Sequence, residues 1–265
     1  MKGIERTIHI IPLGHEIDRA VTPFDQVKAD RVYLLTVLEG STFDEEMSAK
    51  QRHYTNAVRE KLEAKGIEVV CKHVNLFDLL NLMKAISKII VNEKAEKNRI
   101  FVNMSAAGRL TSVAATLVGM AHDVRVYYVP ADNYPQDDLS RQRHGLSICS
   151  KQETVPLTNF QFVMPDPVGL KILLFLAESG KPERVSRILE VLRESDVPGF
   201  EEDFTKIKDD KRRTVQSKQL MKLDKTILAR LERNGFIERR KEGSSRYVLL
   251  TESGTYAAHI SGRLD

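Results

Sequence analysis

The chain has 265 residues, 42% hydrophobic and 29% charged, a composition typical of a folded globular protein. No apolar run approaches the roughly 20 residues of a membrane helix, and the first residues lack a signal-peptide pattern. The two cysteines, Cys71 and Cys149, form neither a CxxC motif nor a disulfide framework. These features predict a cytoplasmic protein without a membrane partner, a structural zinc ion or another bound metal.

The formal net charge of +4 conceals an asymmetry along the chain. Between residues 205 and 250, fourteen Lys and Arg face six Asp and Glu, a balance of +8 that leaves −4 for the remainder. A basic C-terminal part on a mildly acidic chain predicts that one end binds nucleic acid.

Apolar runs alternate with helical patterns through the first half of the chain. We predict five strands, over 7–13, 31–37, 67–73, 100–103 and 124–130. The intervening segments predict helices over 44–65, 78–92 and 110–121. Strands that are apolar almost throughout are typical of a parallel sheet covered on both faces. The predicted fold class is therefore α/β, with a Rossmann-like parallel-sheet sensor domain over residues 1–135.

The turn between the fourth strand and its helix is small and polar. Its residues are Asn103, Met104, Ser105, Ala106, Ala107, Gly108 and Arg109. The helix that follows directs free N–H groups and its positive dipole end out of the sheet, which favours a bound phosphate. Small side chains allow a ligand to approach the backbone, and Arg109 can bind phosphate bidentately. Packing alone also selects small residues in such turns, so that alternative stays open.

Two further polar clusters follow strands of the same predicted sheet. Gly14, His15 and Glu16, with Arg19, come after the first strand, and Asp132 comes after the fifth. Ligands bind such sheets at the carboxyl ends of the strands, so we predict that all three clusters contact one ligand. Three simpler roles remain open: His15 capping its turn, Glu16 and Arg19 forming an ion pair, and Asn103 bonding only loop backbone.

Other nucleotide-binding motifs are absent from the sequence. No GxGxxG follows the first strand and no GxxxxGK[ST] run occurs, which argues against NAD and against a P-loop ATPase. We therefore expect no cofactor. Glu39, just past the second strand, is the residue type that holds a ribose.

Residues 136–167 are predicted to be a connector, with a surface excursion over 136–145 and a stiff Met-Pro-Asp-Pro end. Residues 168–265 then form a mainly α domain with helices over 168–178 and 183–194. We predict an irregular loop over 195–214 and a short helix over 216–221. A tight turn at Lys222–Leu223 and an N-cap at Asp224 are predicted to start a second helix, 225–234.

A hairpin with a charged tip follows, over 236–250, and Thr251 is predicted to cap a closing helix. Two helices and a basic hairpin indicate a winged helix-turn-helix that binds double-stranded DNA. The predicted base contacts are Lys225 and Thr226, with Arg230 and Arg233 reaching bases or backbone. The predicted phosphate contacts are Lys222, Arg239, Arg240, Lys241, Ser244, Ser245 and Arg246. A winged helix used only for protein contacts is the alternative.

Three stretches resemble archaeal regulators with a CARF (CRISPR-associated Rossmann fold) sensor domain followed by a winged helix. They are Ile-Pro-Leu-Gly-His-Glu-Ile-Asp-Arg, Val-Asn-Met-Ser-Ala-Ala-Gly-Arg-Leu and Arg-Val-Tyr-Tyr-Val-Pro-Ala. Relatives often have Thr-Gly-Gly-Thr-Lys where this chain has residues 105–109. The resemblance implies a homodimer that binds a cyclic oligoadenylate, cyclic tetra-adenylate by preference, across its two-fold axis.

The resulting prediction is a transcription regulator in which a nucleotide effector alters DNA binding by the winged helices. The resemblance also implies an enzymatic alternative, a ring nuclease that cleaves its own cyclic ligand, with His15, Ser105 and Arg109 assisting. A third interpretation is a DNA-binding dimer that needs no ligand.

Overall fold

The computed structural model describes residues 5–37, 45–151, 153–160, 162–201, 209–243 and 245–264, with the backbone alone over 209–214. The chain divides into two compact units, residues 1–162 and 163–265. Across the described ranges, no helix has both the length and the apolar character to cross a bilayer.

The first unit is built on a six-stranded sheet. Its strands are β1 (Thr7–Pro12), β2 (Arg31–Thr36), β3 (Glu68–His73), β4 (Arg99–Asn103), β5 (Arg125–Tyr128) and β6 (Val155–Pro156). Their order is β3-β2-β1-β4-β5-β6, with the first five parallel and β6 antiparallel to β5. The predicted Rossmann-like sheet is confirmed. The order reverses between β1 and β4, which makes their carboxyl ends the topological switch point.

Helices connect these strands, and their ends follow from local sequence. They are α1 (Asp18–Val21) with a 3₁₀ turn (Thr22–Asp25), α2 (Glu45–Glu63), α3 (Leu79–Ala95), α4 (Arg109–Ala121) and α5 (Asp138–His144). The carboxylate of Asp78 caps α3 by accepting a hydrogen bond from the backbone N–H of Asn81, at 3.0 Å. Beyond α2, Gly66 adopts φ +77°, the left-handed conformation that ends many helices. Helix α5 lies where the sequence predicts a surface excursion, and most of the predicted connector belongs to the first unit.

The centre of the sheet contains a buried histidine. His9 on β1 is 2% exposed and stacks on the ring of Phe101 at 4.8 Å. Its Nδ1 lies 3.0 Å from the hydroxyl of Tyr127. Burial lowers the pKa of His9 to about 4, so the imidazole is neutral at physiological pH.

The second unit combines helices with a small antiparallel sheet of order β7-β9-β8. Its elements are α6 (Pro167–Ser179), β7 (Glu183–Arg184), α7 (Val185–Glu194), α8 (Asp209–Lys222), a π-helical segment (Leu223–Leu228), α9 (Ala229–Arg233), β8 (Ile237–Glu242), β9 (Ser245–Leu250) and α10 (Glu252–Ile260). Thr251 caps α10 by accepting from the N–H of Gly254, as predicted. This arrangement of helices with a wing formed by β8 and β9 is a winged helix.

The tight turn predicted at Lys222–Leu223 is wrong. Residues 209–233 form one continuous helical segment, called here the long helix, so the helix-turn-helix pair is α7 and the long helix. Leu223 is fully buried with Ile227 and Leu228, and these apolar contacts carry the chain helically through the predicted turn. Asp224 is consequently not an N-cap. The backbone N–H of Ala229 donates to the carbonyl of Asp224, five residues earlier, which is the hydrogen-bond pattern of a π-helix.

Candidate ligand site and nucleic-acid interface

The two loops that leave β1 and β4 meet at the switch point of the sheet. The backbone N–H of Gly14 donates to the carbonyl of Ala106 at 2.9 Å. A Cβ at Gly14 would lie 3.4 Å from the Cα of Ala107, an ordinary van der Waals distance, so the two loops pack directly against each other. The sequence-predicted clusters after β1 and β4 are therefore in direct contact.

A cavity of about 360 Å³ opens beside this junction. Its walls come from both loops, the first turn of α4, the N-terminal part of α2 and the chain after β3. The residues around it are Gly14, His15, Glu16, Val37, Met47, Gln51, Leu76, Phe77, Ala107, Gly108, Arg109, Leu110, Thr111 and Leu146. Six of the predicted ligand residues thus surround one space: Gly14, His15, Glu16, Ala107, Gly108 and Arg109.

The N-terminus of α4 faces solvent without a side-chain cap. Gly108 occupies the N-cap position, and apart from its chain neighbours no described residue comes within 4 Å of where its Cβ would be. The N–H of Ser112 makes the first bond into this end, to the carbonyl of Gly108 at 3.1 Å. The N–H groups before Ser112 have no partner within the helix, and an anion can accept from them.

Arg109 adds a positive charge at the same helix end. Its side chain is exposed, and within the described ranges no carboxylate pairs with its guanidinium. A cation beside free N–H groups suits a phosphate or a carboxylate. Across the described residues, no group of three His, Cys, Asp or Glu could hold a metal ion.

Asn103 and Ser105 lie inside the loop rather than in the cavity wall, which differs from their predicted contact with ligand. Asn103 is fully buried; its Nδ2 donates to the carbonyl of Arg19 at 2.9 Å. Its Oδ1 accepts from the N–H and the hydroxyl of Ser105, at 2.8 and 2.6 Å. The Ser105 hydroxyl in turn accepts from the N–H of Val129 at 3.0 Å. Both side chains position the loop, the simpler role left open for Asn103.

Arg19 is likewise used within the protein. Its guanidinium donates to the carbonyl of Ser105 at 3.2 Å and to the hydroxyl of Tyr128 at 3.1 Å. It also pairs with Glu16 at 3.6 Å, the ion pair considered as a simpler role for these two residues. Its side chain is 14% exposed, and its predicted direct contact with a ligand stays a prediction.

Glu16 lines the cavity from a buried position. Its Oε1 accepts a hydrogen bond from the hydroxyl of Ser147 at 2.8 Å, and its buried Oε2 has no hydrogen-bond partner among the residues that the structure describes. Burial raises the pKa of this carboxyl, although Ser147 and Arg19 oppose the shift.

His15 separates the cavity from a broader groove between α2 and α5. Its ring stacks on Tyr54 with centroids 4.9 Å apart. Burial, and secondarily the charge of Lys50, lower the pKa of His15. At neutral pH the ring is therefore a neutral hydrogen-bonding group with an aromatic face.

Asp132 is not among the residues that line the cavity, and its predicted contact with a ligand stays a prediction. Its carboxylate accepts from the N–H and the hydroxyl of Ser150, at 2.6 and 2.9 Å, and from the N–H of Lys151 at 3.0 Å. The bond from Lys151 is the main reason that the pKa of Asp132 is lowered.

Two further predicted ligand residues lie in the loop after β4. Ala106 is fully buried, and the backbone N–H of Met104 donates to the carbonyl of Tyr127. Glu39 lies outside the described residues.

Sequence reasoning missed the contribution of α2 and of the chain after β3. Gln51 donates to the carbonyl of Leu13 at 3.2 Å, which ties α2 to the loop after β1. Phe77 is 64% exposed beside the cavity. Its position after β3, at the same edge as the other clusters, is the signal that could have identified it.

In the second unit, Lys225 and Thr226 are exposed on the π-helical segment, and Arg233 is exposed near the end of the long helix. Arg230 instead pairs with Asp166. The Nζ of Lys222 lies 4.9 Å from the ring centre of Phe200 and 3.4 Å from the carbonyl of Pro198, on the loop after α7. Some of the residues predicted to contact DNA are thus exposed, whereas others form contacts within the protein.

The wing carries its cations in two different ways. Arg240 and Lys241 are exposed near its tip, where Arg240 pairs with the exposed Glu238 at 3.3 Å, whereas Arg239 is partly buried and pairs with Glu232 and Asp224. Arg246 pairs with Asp224 at 2.7 Å. Ser245 lies opposite Glu242 in the hairpin, and Ser244 lies outside the described residues.

The predicted short helix at 216–221 belongs to the long helix itself. Its exposed residues, Ser217, Lys218 and Met221, lie on the same element as Lys225. They are additional candidates for DNA contact that the sequence interpretation assigned to the first helix of the motif. The signal against the predicted turn was the apolar spacing that continues through Leu223.

Two family models match the chain. Residues 7–134 match the family described as HFX_2341_N-like, N-terminal, and residues 168–262 match the DUF6293 C-terminal winged helix domain. A curated relative, the uncharacterized protein MJ1513 of Methanocaldococcus jannaschii, is 24% identical over 122 residues. That match covers 45% of this chain and 35% of the relative.

Solved structures with a similar fold include two proteins with bound cyclic nucleotides. Enterococcus italicus Csm6, bound to cyclic hexa-2′-fluoro-hexa-dAMP, has 13% identity and a TM-score of 0.45, covering 86% of this chain and 57% of Csm6. Can2 from Sulfobacillus thermosulfidooxidans, in complex with cyclic tetra-adenylate, has 12% identity and a TM-score of 0.39, covering 97% of this chain and 62% of Can2. Identities this low concern the fold alone.

The two family matches follow each other in the order that the CARF resemblance predicts, a Rossmann-like domain and then a winged helix. Each match falls within one of the two units of the structure. The chain therefore joins an HFX_2341_N-like N-terminal domain to a DUF6293 C-terminal winged helix domain.

Proposed function

We propose that this protein is a DNA-binding regulator whose N-terminal domain binds an anionic nucleotide, a cyclic oligoadenylate, in the cavity at the switch point. The observation that carries the proposal is the uncapped N-terminus of α4, which opens with Arg109 onto that cavity. Free N–H groups, a helix dipole and a guanidinium together favour phosphate over neutral ligands.

The size of the cavity bears on how such a ligand would bind. A volume of about 360 Å³ is near the lower end of ligand pockets. It suits about one nucleotide, so a ring of several nucleotides would extend beyond it. A two-fold dimer would supply a second, identical cavity for the rest of the ring.

An exposed apolar surface beside the cavity supports the proposed homodimer. Phe77, Leu110 and Val113 are 64%, 42% and 50% exposed. Leu110 and Val113 are three residues apart on α4 and share its outward face. Apolar side chains grouped on a surface favour association, and here they adjoin the proposed ligand position.

The proposal for DNA binding rests on the winged helix and its charge. Lys218, Lys225 and Arg233 are exposed on the long helix, and Arg240 and Lys241 are exposed on the wing. In this motif the helix after the turn enters the major groove, and the wing contacts backbone or minor groove. The +8 balance over residues 205–250 favours DNA over protein as the partner.

The deciding experiment combines calorimetry with DNA binding. Cyclic tetra-adenylate, the ligand in the Can2 complex, is titrated first, followed by cyclic hexa-adenylate and linear tetra-adenylate. We expect heat with one cyclic ligand at one ring per two chains, and a changed affinity for duplex DNA when that ligand is present.

The alternatives give different results in the same experiment. Absence of heat with every ligand rejects the nucleotide class, and DNA affinity that is indifferent to a bound ligand favours a ligand-independent binder. Linear products recovered after incubation would instead indicate a ring nuclease.

A further inference from the structure

The carboxylate of Asp224 lies between the long helix and the wing and contacts two wing arginines. Its Oδ2 is 2.7 Å from Nη1 of Arg246, and its Oδ1 is 3.2 Å from Nη1 of Arg239. The helix that carries Asp224 is π-helical at this point, a local irregularity that often marks functional positions. The ion pairs thus join the two elements through which a winged helix contacts DNA.

The two arginines are held unequally. Arg239 also pairs with Glu232, donates to the backbone carbonyl of Asp224 and has a side chain that is 30% exposed. Arg246 has Asp224 as its carboxylate partner among the described residues, and its side chain is 49% exposed. Arg239 therefore anchors the base of the wing, while Arg246 can change partner with little loss because exposed ion pairs contribute little net stability.

A carboxylate at this position has a direct electrostatic consequence for DNA binding. It neutralises a wing cation that would otherwise attract phosphate, and it repels phosphates that approach the long helix. Sequence-independent affinity depends on the number of phosphates that cations neutralise. One charge removed from the wing therefore weakens binding to any duplex.

We propose that Asp224 restrains non-specific DNA binding by holding Arg246 until a phosphate takes its place. On a closely fitting site, the guanidinium of Arg246 leaves Asp224 and donates to the DNA backbone, while Arg239 keeps the wing in position. This inference rests on the proposed DNA-binding function and adds a residue that opposes binding to arbitrary sequences.

The test uses the full chain and a random-sequence duplex, with anisotropy measured over a series of salt concentrations. Asp224→Asn keeps the shape of the side chain and removes its charge. We expect about three- to tenfold tighter binding at low salt and a salt dependence steeper by about one unit of slope. Glu252→Gln, which removes an exposed acid from the first turn of α10, controls for net charge.

A second variant separates charge from folding. Combining Asp224→Asn with Arg246→Ala should abolish the gain in DNA affinity expected for Asp224→Asn alone, because the guanidinium released by that substitution is then absent. Equal behaviour of Asp224→Asn and Glu252→Gln would overturn the inference, as would a gain that survives Arg246→Ala. If the wild-type chain fails to bind any duplex at low salt, the proposed function itself fails.

Discussion

The carboxylate of Asp18 accepts a hydrogen bond from the backbone N–H of Cys149 at 3.1 Å, joining residues 131 positions apart in sequence. The same oxygen lies 2.9 Å from Nδ1 of His144. With the bond from Ser147 to Glu16, these contacts tie the loop after β1 to residues 144–149. Because the chain continues from that segment to the winged helix, a ligand that displaced the loop, as proposed above, would also displace the start of that connection.

Removal of the Asp18 carboxylate should loosen this connection. For Asp18→Ala we expect amide hydrogen exchange at Cys149 to be about tenfold faster or more, since a hydrogen bond to a charged group is lost. Asp138→Ala, at an acid whose side chain is 91% exposed, is the control and should leave Cys149 unchanged. Unaltered exchange in Asp18→Ala would show that the segment is held by other contacts.

Arg109 should control affinity for the nucleotide. Arg109→Ala removes the guanidinium from the open end of α4, and we expect cyclic tetra-adenylate to bind about tenfold more weakly or worse. Arg99→Ala, at the opposite end of β4, is the matched control and should bind normally. Calorimetry measures both variants. Equal affinities would place the phosphates elsewhere.

Gly145 should be much less tolerant of substitution than another glycine of the same unit. It adopts φ +86°, and a Cβ there would lie 2.6 Å from the backbone nitrogen of Ile17. We expect Gly145→Ala to cost about 3 kcal/mol of stability, from left-handed strain and collision together. Gly66 has φ +77° but open space around it, so Gly66→Ala should cost only about 1 kcal/mol. Comparison of the two thermal unfolding curves checks this difference.

Stability should fall in mild acid because of His9. The unfolded side chain takes up a proton below its ordinary pKa of 6.5, while the folded one stays neutral down to about 4. The unfolded state therefore binds more protons across this window, and the free energy of unfolding decreases by about 3 kcal/mol as pH falls through it. His9→Phe should flatten that dependence in urea denaturation at a series of pH values. His53→Phe, at an exposed ring, should retain it.

The sequence predicted the sheet and the contact between the loops after β1 and β4, because strand periodicity and strand-end chemistry are local properties. It could not tell which polar side chains face the cavity. Asn103 and Arg19 have the residue types of ligand contacts, but they are occupied by Ser105 and Tyr128, partners that only the folded chain brings near. Arg109 remains at the cavity because the first turn of its helix is directed outward.

The predicted turn at Lys222 shows a different limit. A polar residue of capping type at Asp224 suggested a helix start, yet burial of Leu223 in the core favours a continuous helix. The carboxylate of Asp224 instead accepts hydrogen bonds from Arg239 and Arg246 on the wing, more than a dozen residues later in the chain. Tertiary packing overrode the local capping signal, and the apolar spacing that continues through Leu223 was the sequence pattern that pointed to it.

The π-helical segment has a consequence for comparing this protein with its relatives. Each residue of an α-helix turns the chain by about 100° around the helix axis. The wider turn within 223–228 therefore rotates the side chains of α8 around that axis relative to the side chains of α9. Loss of a single residue there would preserve helicity and composition, yet turn Lys218 toward another direction. Two homologues with identical side chains upstream of this point would then direct those side chains differently, and alignments that ignore the extra residue would pair the wrong positions.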